Sequence, residues 1–232
     1  MTGVADVPAR LAAVRAQIAG LCERSGRPAD AVELLAVSKQ HPAASIRAAY
    51  AAGQRAFGEN RVQELVTKAL ELAPLSDLRW HMIGSLQTNK VRELLRVPGL
   101  VLLHSLDRVR LADELQRELA RTGRHLDVLL EVHASGEPTK HGCPLVDAPA
   151  LVAHVQANCP AVALQGVMAM GPLAGDPAPT FARTAALRDE LRRRSGLPLP
   201  VLSLGMSGDL AAGIAAGSTL VRVGTAVFGS RG

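Results

Sequence analysis

Eight short apolar runs, each handing over to a helical pattern, limit most strongly what this chain can become. The runs are ELLAVSK (Glu33–Lys39), RAFGEN (Arg55–Asn60), RWHMIGS (Arg79–Ser85), LVLLHSLD (Leu100–Asp107), LDVLLEVH (Leu126–His133), LQGVMAMG (Leu164–Gly171), VLSLGMS (Val201–Ser207) and TLVRVGTAVFG (Thr219–Gly229). Between them lie segments such as AASIRAAYAAG, RVQELVTKALELA and DRVRLADELQRELARTG, several of which stop at glycine. Continuous apolar runs are the signature of strands buried on both faces, as parallel strands are when helices cover them. Eight such units in 232 residues predict a single domain over 1–232 of class α/β. Its expected architecture is a (β/α)8 TIM barrel with an extra helix in front, from about Val7 to Ser25. A doubly wound open sheet is the competing arrangement, but no GxGxxG follows the first strand.

Composition narrows the partners. The chain is 48% hydrophobic and 20% charged, with a net charge of +5. Much of the excess is arginine in helical segments such as LRDELRRRSG, where Asp and Glu are interspersed as on a solvated helix face. One Trp, one Tyr and three Phe provide no aromatic platform for single-stranded nucleic acid, so no nucleic-acid partner is expected. Cys22, Cys143 and Cys159 are widely spaced and form no CxxC, which points to a reducing compartment without disulfides or structural zinc. No charged-then-apolar leader opens the chain, and no run approaches the roughly twenty apolar residues of a membrane span. A cytoplasmic protein without membrane contact is the expectation.

In such a barrel, chemistry sits where strands end and the following loops begin. Those ends carry Ser38-Lys39, Glu59-Asn60, His81 with Gly84-Ser85, His104-Ser105, Glu131 with His133, Met170-Gly171, Gly205-Met206-Ser207, and Arg222 with Gly224-Thr225. Taken alone, Lys39 reads as an amine snorkelling from a strand mouth. Facing the other polar ends, it is a candidate Schiff-base lysine. Two glycine-flanked turns, Gly205–Gly208 and Val223–Thr225, follow the seventh and eighth strands, where this fold recurrently holds phosphate. Small residues let N–H groups approach an anion, and Asp209 is a candidate cap for the helix after the first turn. Glycines that only make tight turns are the alternative.

In a closed barrel the first strand neighbours the eighth. A ligand with an aldehyde at one end and a phosphate at the other would therefore span Lys39 and the two turns. Pyridoxal 5′-phosphate (PLP) is such a ligand. Arg222 would then face the pyridine nitrogen and keep it unprotonated, weakening the ring as an electron sink. An ion pair between Arg222 and Glu131 is the alternative.

The segments AVSK, FGENRVQE, WHMIGSLQTNK, LSLGMSGDL and GSTLVRVGTAVFG together resemble the YggS/PROSC family, the pyridoxal phosphate homeostasis proteins, from about Leu34 to Gly229. The resemblance implies the fold-type III barrel that alanine racemase uses for its cofactor domain. It implies PLP as cofactor and Lys39 as the lysine that binds its aldehyde. It further implies Ser207, Gly224 and Thr225 as phosphate contacts, Arg222 opposite the pyridine nitrogen, and Asn60 and His81 as residues lining the pocket, for which packing or loop-fixing hydrogen bonds are the alternative to ligand contact. Two departures stand out. This chain has EVH (Glu131–His133) where many relatives have EVN, and Thr139-Lys140-His141-Gly142 where relatives often show Ser-Lys-x-Gly. The loop lysine is linked within the family to secondary cofactor handling; Lys140 is read here as a solvated loop lysine.

The resulting expectation is a PLP-binding protein, not an enzyme. It holds the cofactor as a Schiff base on Lys39 and buffers it or delivers it to PLP-dependent apoenzymes. A two-base racemase needs a second acid/base, which alanine racemase takes from a tyrosine on a separate C-terminal domain. Here the chain stops just after the eighth strand, and its one tyrosine, Tyr50, falls in a helical segment. A monomer is expected, because the barrel needs no partner to complete its site. Two readings compete. A class I aldolase-like enzyme would use the same lysine with Glu59 or Glu131 as acid/base, and a PLP-dependent amino-acid enzyme would use that lysine as well. A metal-dependent hydrolase would use His81, His104 and His133, which lack ligand spacing, so no metal is expected.

Overall fold

The structure, a computed structural model, describes residues 4–134 and 141–230. Its strands are β1 (Glu33–Val37), β2 (Ala56–Glu59), β3 (Arg79–Met82), β4 (Leu100–Leu106), β5 (Leu126–His133), β6 (Cys143–Pro144), β7 (Val162–Met168), β8 (Val201–Ser203) and β9 (Leu220–Val223). Every pairing is parallel, and the ring runs β1-β2-β3-β4-β5-β7-β8-β9 before returning to β1. Closure comes from a register of Glu33 with Leu220 through Ala36 with Val223. The expected (β/α)8 barrel is present. The two-residue β6 is an addition outside the ring, paired to the end of β5 through Val132 and Cys143.

The helices are α1 (Val7–Arg24), α2 (Ala43–Ala51), α3 (Val62–Glu71), α4 (Val91–Leu94), α5 (Val109–Ala120), α6 (Ala148–Asn158), α7 (Ala178–Ser195), α8 (Leu210–Ala215) and α9 (Thr225–Phe228). In α1, Val7, Leu11, Val14, Ile18 and Cys22 recur at helical spacing and form one buried stripe. Pro8 is tolerated in its first turn, where no intrahelical N–H is needed. The stripe packs on α2, α8 and α9, covering the seam where β9 meets β1. Each fully buried side chain of this kind contributes about 2 kcal/mol. The last turn of α7 is closed by Gly196 at φ 71°, whose N–H donates to Arg192 O. No described helix is long and apolar enough to cross a membrane.

Alternation along the strands sorts side chains into two cores. Leu34, Ala36, Phe57, Trp80 and Val221 face outward into the layer between strands and helices. Leu102, Leu129 and Met168 form a separate small cluster inside the barrel. Two residues further along the same strands, and on the same inward face, stand His104 and Glu131. The barrel interior thus changes from apolar to polar as it approaches the C-terminal ends of the strands.

Candidate functional site

At that end the barrel opens into a cavity of about 1060 Å³, its mouth included, lined among others by Lys39, Asn60, Glu131, Ser207, Arg222, Gly224 and Thr225. Six of the seven residues expected from the sequence therefore share one space. β1 ends at Val37, so Lys39 projects from the loop rather than from the strand. Ser38 keeps the loop in register by donating its N–H to Gly58 O at 3.0 Å.

On the opposite flank, the amides of Ser207, Gly208 and Thr225 have no acceptor among the described residues. The end of β9 runs close to β1: a Cβ on Gly224 would lie 3.1 Å from Val37 O. Asp209 does not do what was expected of it. It stands at the N-cap of α8 but makes no capping bond; its Oδ1 instead accepts from Met206 N–H at 2.6 Å. The carboxylate closes the Gly205–Gly208 turn, leaving the amides beyond it unengaged by this side chain.

Arg222 is buried and donates to three neutral acceptors: Ser203 O at 2.8 Å, Ser203 Oγ at 2.7 Å and Ala169 O at 3.0 Å. The alternative of an ion pair with Glu131 is not what holds it. Burial pulls Arg222 down to about 10, with Asp209 and Glu131 offsetting part of the effect, so it stays charged at neutral pH. Glu131 moves the other way. Burial, reinforced by Asp107 and partly offset by Arg222, raises its carboxyl to about 7. Its Oε2 has no hydrogen-bond partner among the described residues, and neither does Asn60 Oδ1.

His81 departs from expectation. It lies outside the cavity lining, with His81 Nδ1 only 2.9 Å from His104 Nε2 inside the barrel. Burial, then Arg79, lowers His81 to about 3; burial, then His81 and Arg222, takes His104 well below its ordinary range. The pair is a neutral hydrogen-bonded unit in the polar layer under the cavity. The physical reason is alternation: His81 is the inward residue of β3, one level below the strand end. The loop beyond supplies the lining instead, through Ile83, Gly84 and Ser85. Gly84 is tightly seated, since a Cβ there would lie 2.1 Å from Asn60 O, and Ser105 Oγ donates to Gly84 O at 2.7 Å.

Lys140 and Thr139 lie outside the described residues, whereas His141 lines the cavity. The three histidines proposed for a metal are not gathered into a ligand set. The described groups that do converge are Asp113, His154 and Cys159 between α5 and α6, with ligand atoms within 4.8 Å. That cluster is closed on itself, His154 Nε2 donating to Asp113 Oδ1 at 2.6 Å.

The comparisons with known proteins bear on this cavity. Residues 9–232 match the sequence profile of the alanine racemase N-terminal domain. The pyridoxal phosphate homeostasis protein of Aquifex aeolicus is 43% identical over 225 residues, covering 96% of this chain and 97% of that one. Its human namesake is 38% identical over 246 residues, covering 100% of this chain and 89% of its own. The chain belongs to the pyridoxal phosphate homeostasis proteins. Among solved structures, PipY of Synechococcus elongatus with PLP bound superposes with a TM-score of 0.85 at 39% identity, covering 96% of this chain and 100% of that one.

Members of the pyridoxal phosphate homeostasis family are thus recognisable from strand-end motifs, but those motifs understate the cavity. Val37 and Met168, just before the strand-end residues read from the sequence, also line it, next to the strand-end Met170 and Met206. Inward alternation from Leu102 and Leu129 would have placed Glu131 on the wall and His104 beneath it. The thioethers carry no comparable signal.

Proposed function

We propose that this chain binds PLP in the cavity, with Lys39 Nζ holding the aldehyde as a Schiff base, and acts as a carrier that buffers the cofactor or hands it to PLP-dependent apoenzymes. One observation carries the reading. An amine from the β1 end, hydroxyls and unengaged amides from the β8 and β9 ends, and a fixed buried cation all border one space. The donor set suits the ligand: Ser207, Gly208 and Thr225 would hold the phosphate, and Asn60 and Glu131 keep buried oxygens available to the ring substituents. When bound, PLP supplies a reactive aldehyde and an electron-withdrawing ring. Arg222, fixed by three acceptors, would keep the ring nitrogen unprotonated and so hold that withdrawal low. The names of the relatives, and the PLP in PipY, support the same ligand.

A carrier fits better than a catalyst because the one phenol is elsewhere. Tyr50 donates to Asp77 at the N-terminal rim and lies under Arg55, 4.0 Å from guanidinium carbon to ring centroid. A second reading is favoured by Glu131 alone. A wall carboxyl near neutrality with an unpaired oxygen could exchange protons in a PLP-dependent amino-acid enzyme.

The test is to add PLP to the purified protein, record the absorbance, reduce with borohydride and map the adduct. The expected result is a yellow species and one cofactor mass on Lys39. In Lys39→Ala both vanish while the melting temperature stays within about 2 °C, because a loop lysine bordering the cavity contributes little to the core. An adduct mapping only to other lysines sinks the reading. Loss of α-deuterium from labelled amino acids at a turnover rate would favour the enzyme instead.

A further inference from the structure

Lys68 is a charged residue where its helix should bury an apolar one. It stands on the inner face of α3 at 6% exposure, and its ammonium donates to Ser38 O at 2.7 Å, Glu59 Oε1 at 2.7 Å and Glu64 Oε1 at 2.8 Å. A buried ammonium is tolerated only when paired and hydrogen-bonded, and here all three protons are used. Its partners reach further. Ser38 Oγ donates to Glu59 Oε1 at 2.6 Å, and Gln40 N–H donates to Glu64 Oε1 at 2.6 Å. Burial pushes the Glu59 carboxyl up, with Lys68 and Ser38 offsetting part of this. Burial also pushes on Glu64, but Lys68 and the Gln40 amide hold it below its ordinary range.

The groups so gripped are the two residues flanking Lys39. Gln40 has φ 63°, a left-handed conformation that a residue with a long side chain adopts only when its surroundings impose it. The turn carrying Lys39 is therefore strained and is held on both sides from a neighbouring helix. We infer that Lys68, acting with Glu59 and Glu64, is a positioning residue: it pins the backbone on either side of Lys39 so that the amine enters the cavity in one orientation. The inference rests on Lys39 being the amine that holds the cofactor.

Two measurements on Lys68→Met and on the double variant Glu59→Gln/Lys68→Met test it. The first is amide hydrogen exchange in the cofactor-free protein, which reads the clamp directly. The second is the rate at which borohydride traps PLP on Lys39. In Lys68→Met, amides at 38–41 should exchange faster while those of β4 and β5 do not change. Trapping should slow by about ten- to a hundred-fold, the usual consequence of a misplaced reacting group. Replacing the charged pair by neutral groups should restore the melting temperature in the double variant, and trapping should stay slow. Wild-type trapping in Lys68→Met, or trapping that recovers together with the melting temperature, overturns the inference. Wild-type protein that yields no adduct on Lys39 instead overturns the reading beneath it. Should Lys68→Met fail to fold, Glu64→Gln at the outer edge of the clamp serves: faster exchange at Gln40 with slower trapping is expected, and wild-type values for both overturn the inference.

Discussion

At the N-terminal rim of the barrel, Arg15 donates to Ala52 O and Gln54 Oε1, Arg55 to Asp77 and Tyr50 O, and Arg79 to Glu33. Gln54 Nε2 bridges the carbonyls of Leu34 and Ala56, tying β1 to β2. At the other end of the same strands, buried oxygens or nitrogens of Glu59, Asn60, His104, Glu131 and His133 have no partner among the described residues. Both regions are rich in polar groups, and only one satisfies itself. Buried polar atoms left unpaired are costly, and two of these residues, Asn60 and Glu131, border the cavity, where the proposed ligand would supply partners. The rim that closes its own bonds holds the barrel together.

That contrast can be broken by substitution. Glu131→Gln should give the largest effect on stability. The Glu131 carboxyl titrates at about 7 in the folded chain against an ordinary 4.5, so the folded form binds the extra proton between those values. Its favourable contribution is complete below about 4.5 and is lost as pH rises through 7. Glutamine removes the loss, so the cofactor-free variant should be more stable than wild type at pH 8 by up to about 3 kcal/mol and little changed at pH 4, by urea unfolding. A variant less stable than wild type at pH 8 would mean that the C-terminal end is satisfied after all. Gln54→Ala should act oppositely, costing about 2 kcal/mol by leaving two strand carbonyls and Arg15 short of partners. Trapping of PLP on Lys39 should be unaffected; a defect there would show that the two rims are coupled. Arg79→Ala removes a half-exposed pair with Glu33 and should cost less than about 1 kcal/mol, again without touching PLP retention.

The strands were legible because parallel strands covered by helices write themselves as apolar runs, and their count and order followed. So was the bringing together of Lys39 with the Gly205–Gly208 and Val223–Thr225 turns, because a closed ring must set its first strand beside its last. Less legible were groups whose surroundings come from distant elements. His81 looks like a lining residue until the ring shows it one level too deep, paired with His104. Asp209 has the sequence position of a cap, yet its carboxylate turns backward to Met206. Lys68 reads as an ordinary helix lysine, and only the packing of α3 over the β1 and β2 ends reveals its three acceptors. The two residues of β6 are too few for any periodicity to register.

The seat of Gly84 has a consequence for how such a cavity can diversify. With Asn60 O only 2.1 Å from where a methyl would go, even alanine must push the β2 loop, so the walls from β2 and β3 can change only together. The methionines on the other side, with three flexible bonds each, accept exchange one at a time. Drift in ligand preference therefore has an open route from one flank and a locked door on the other.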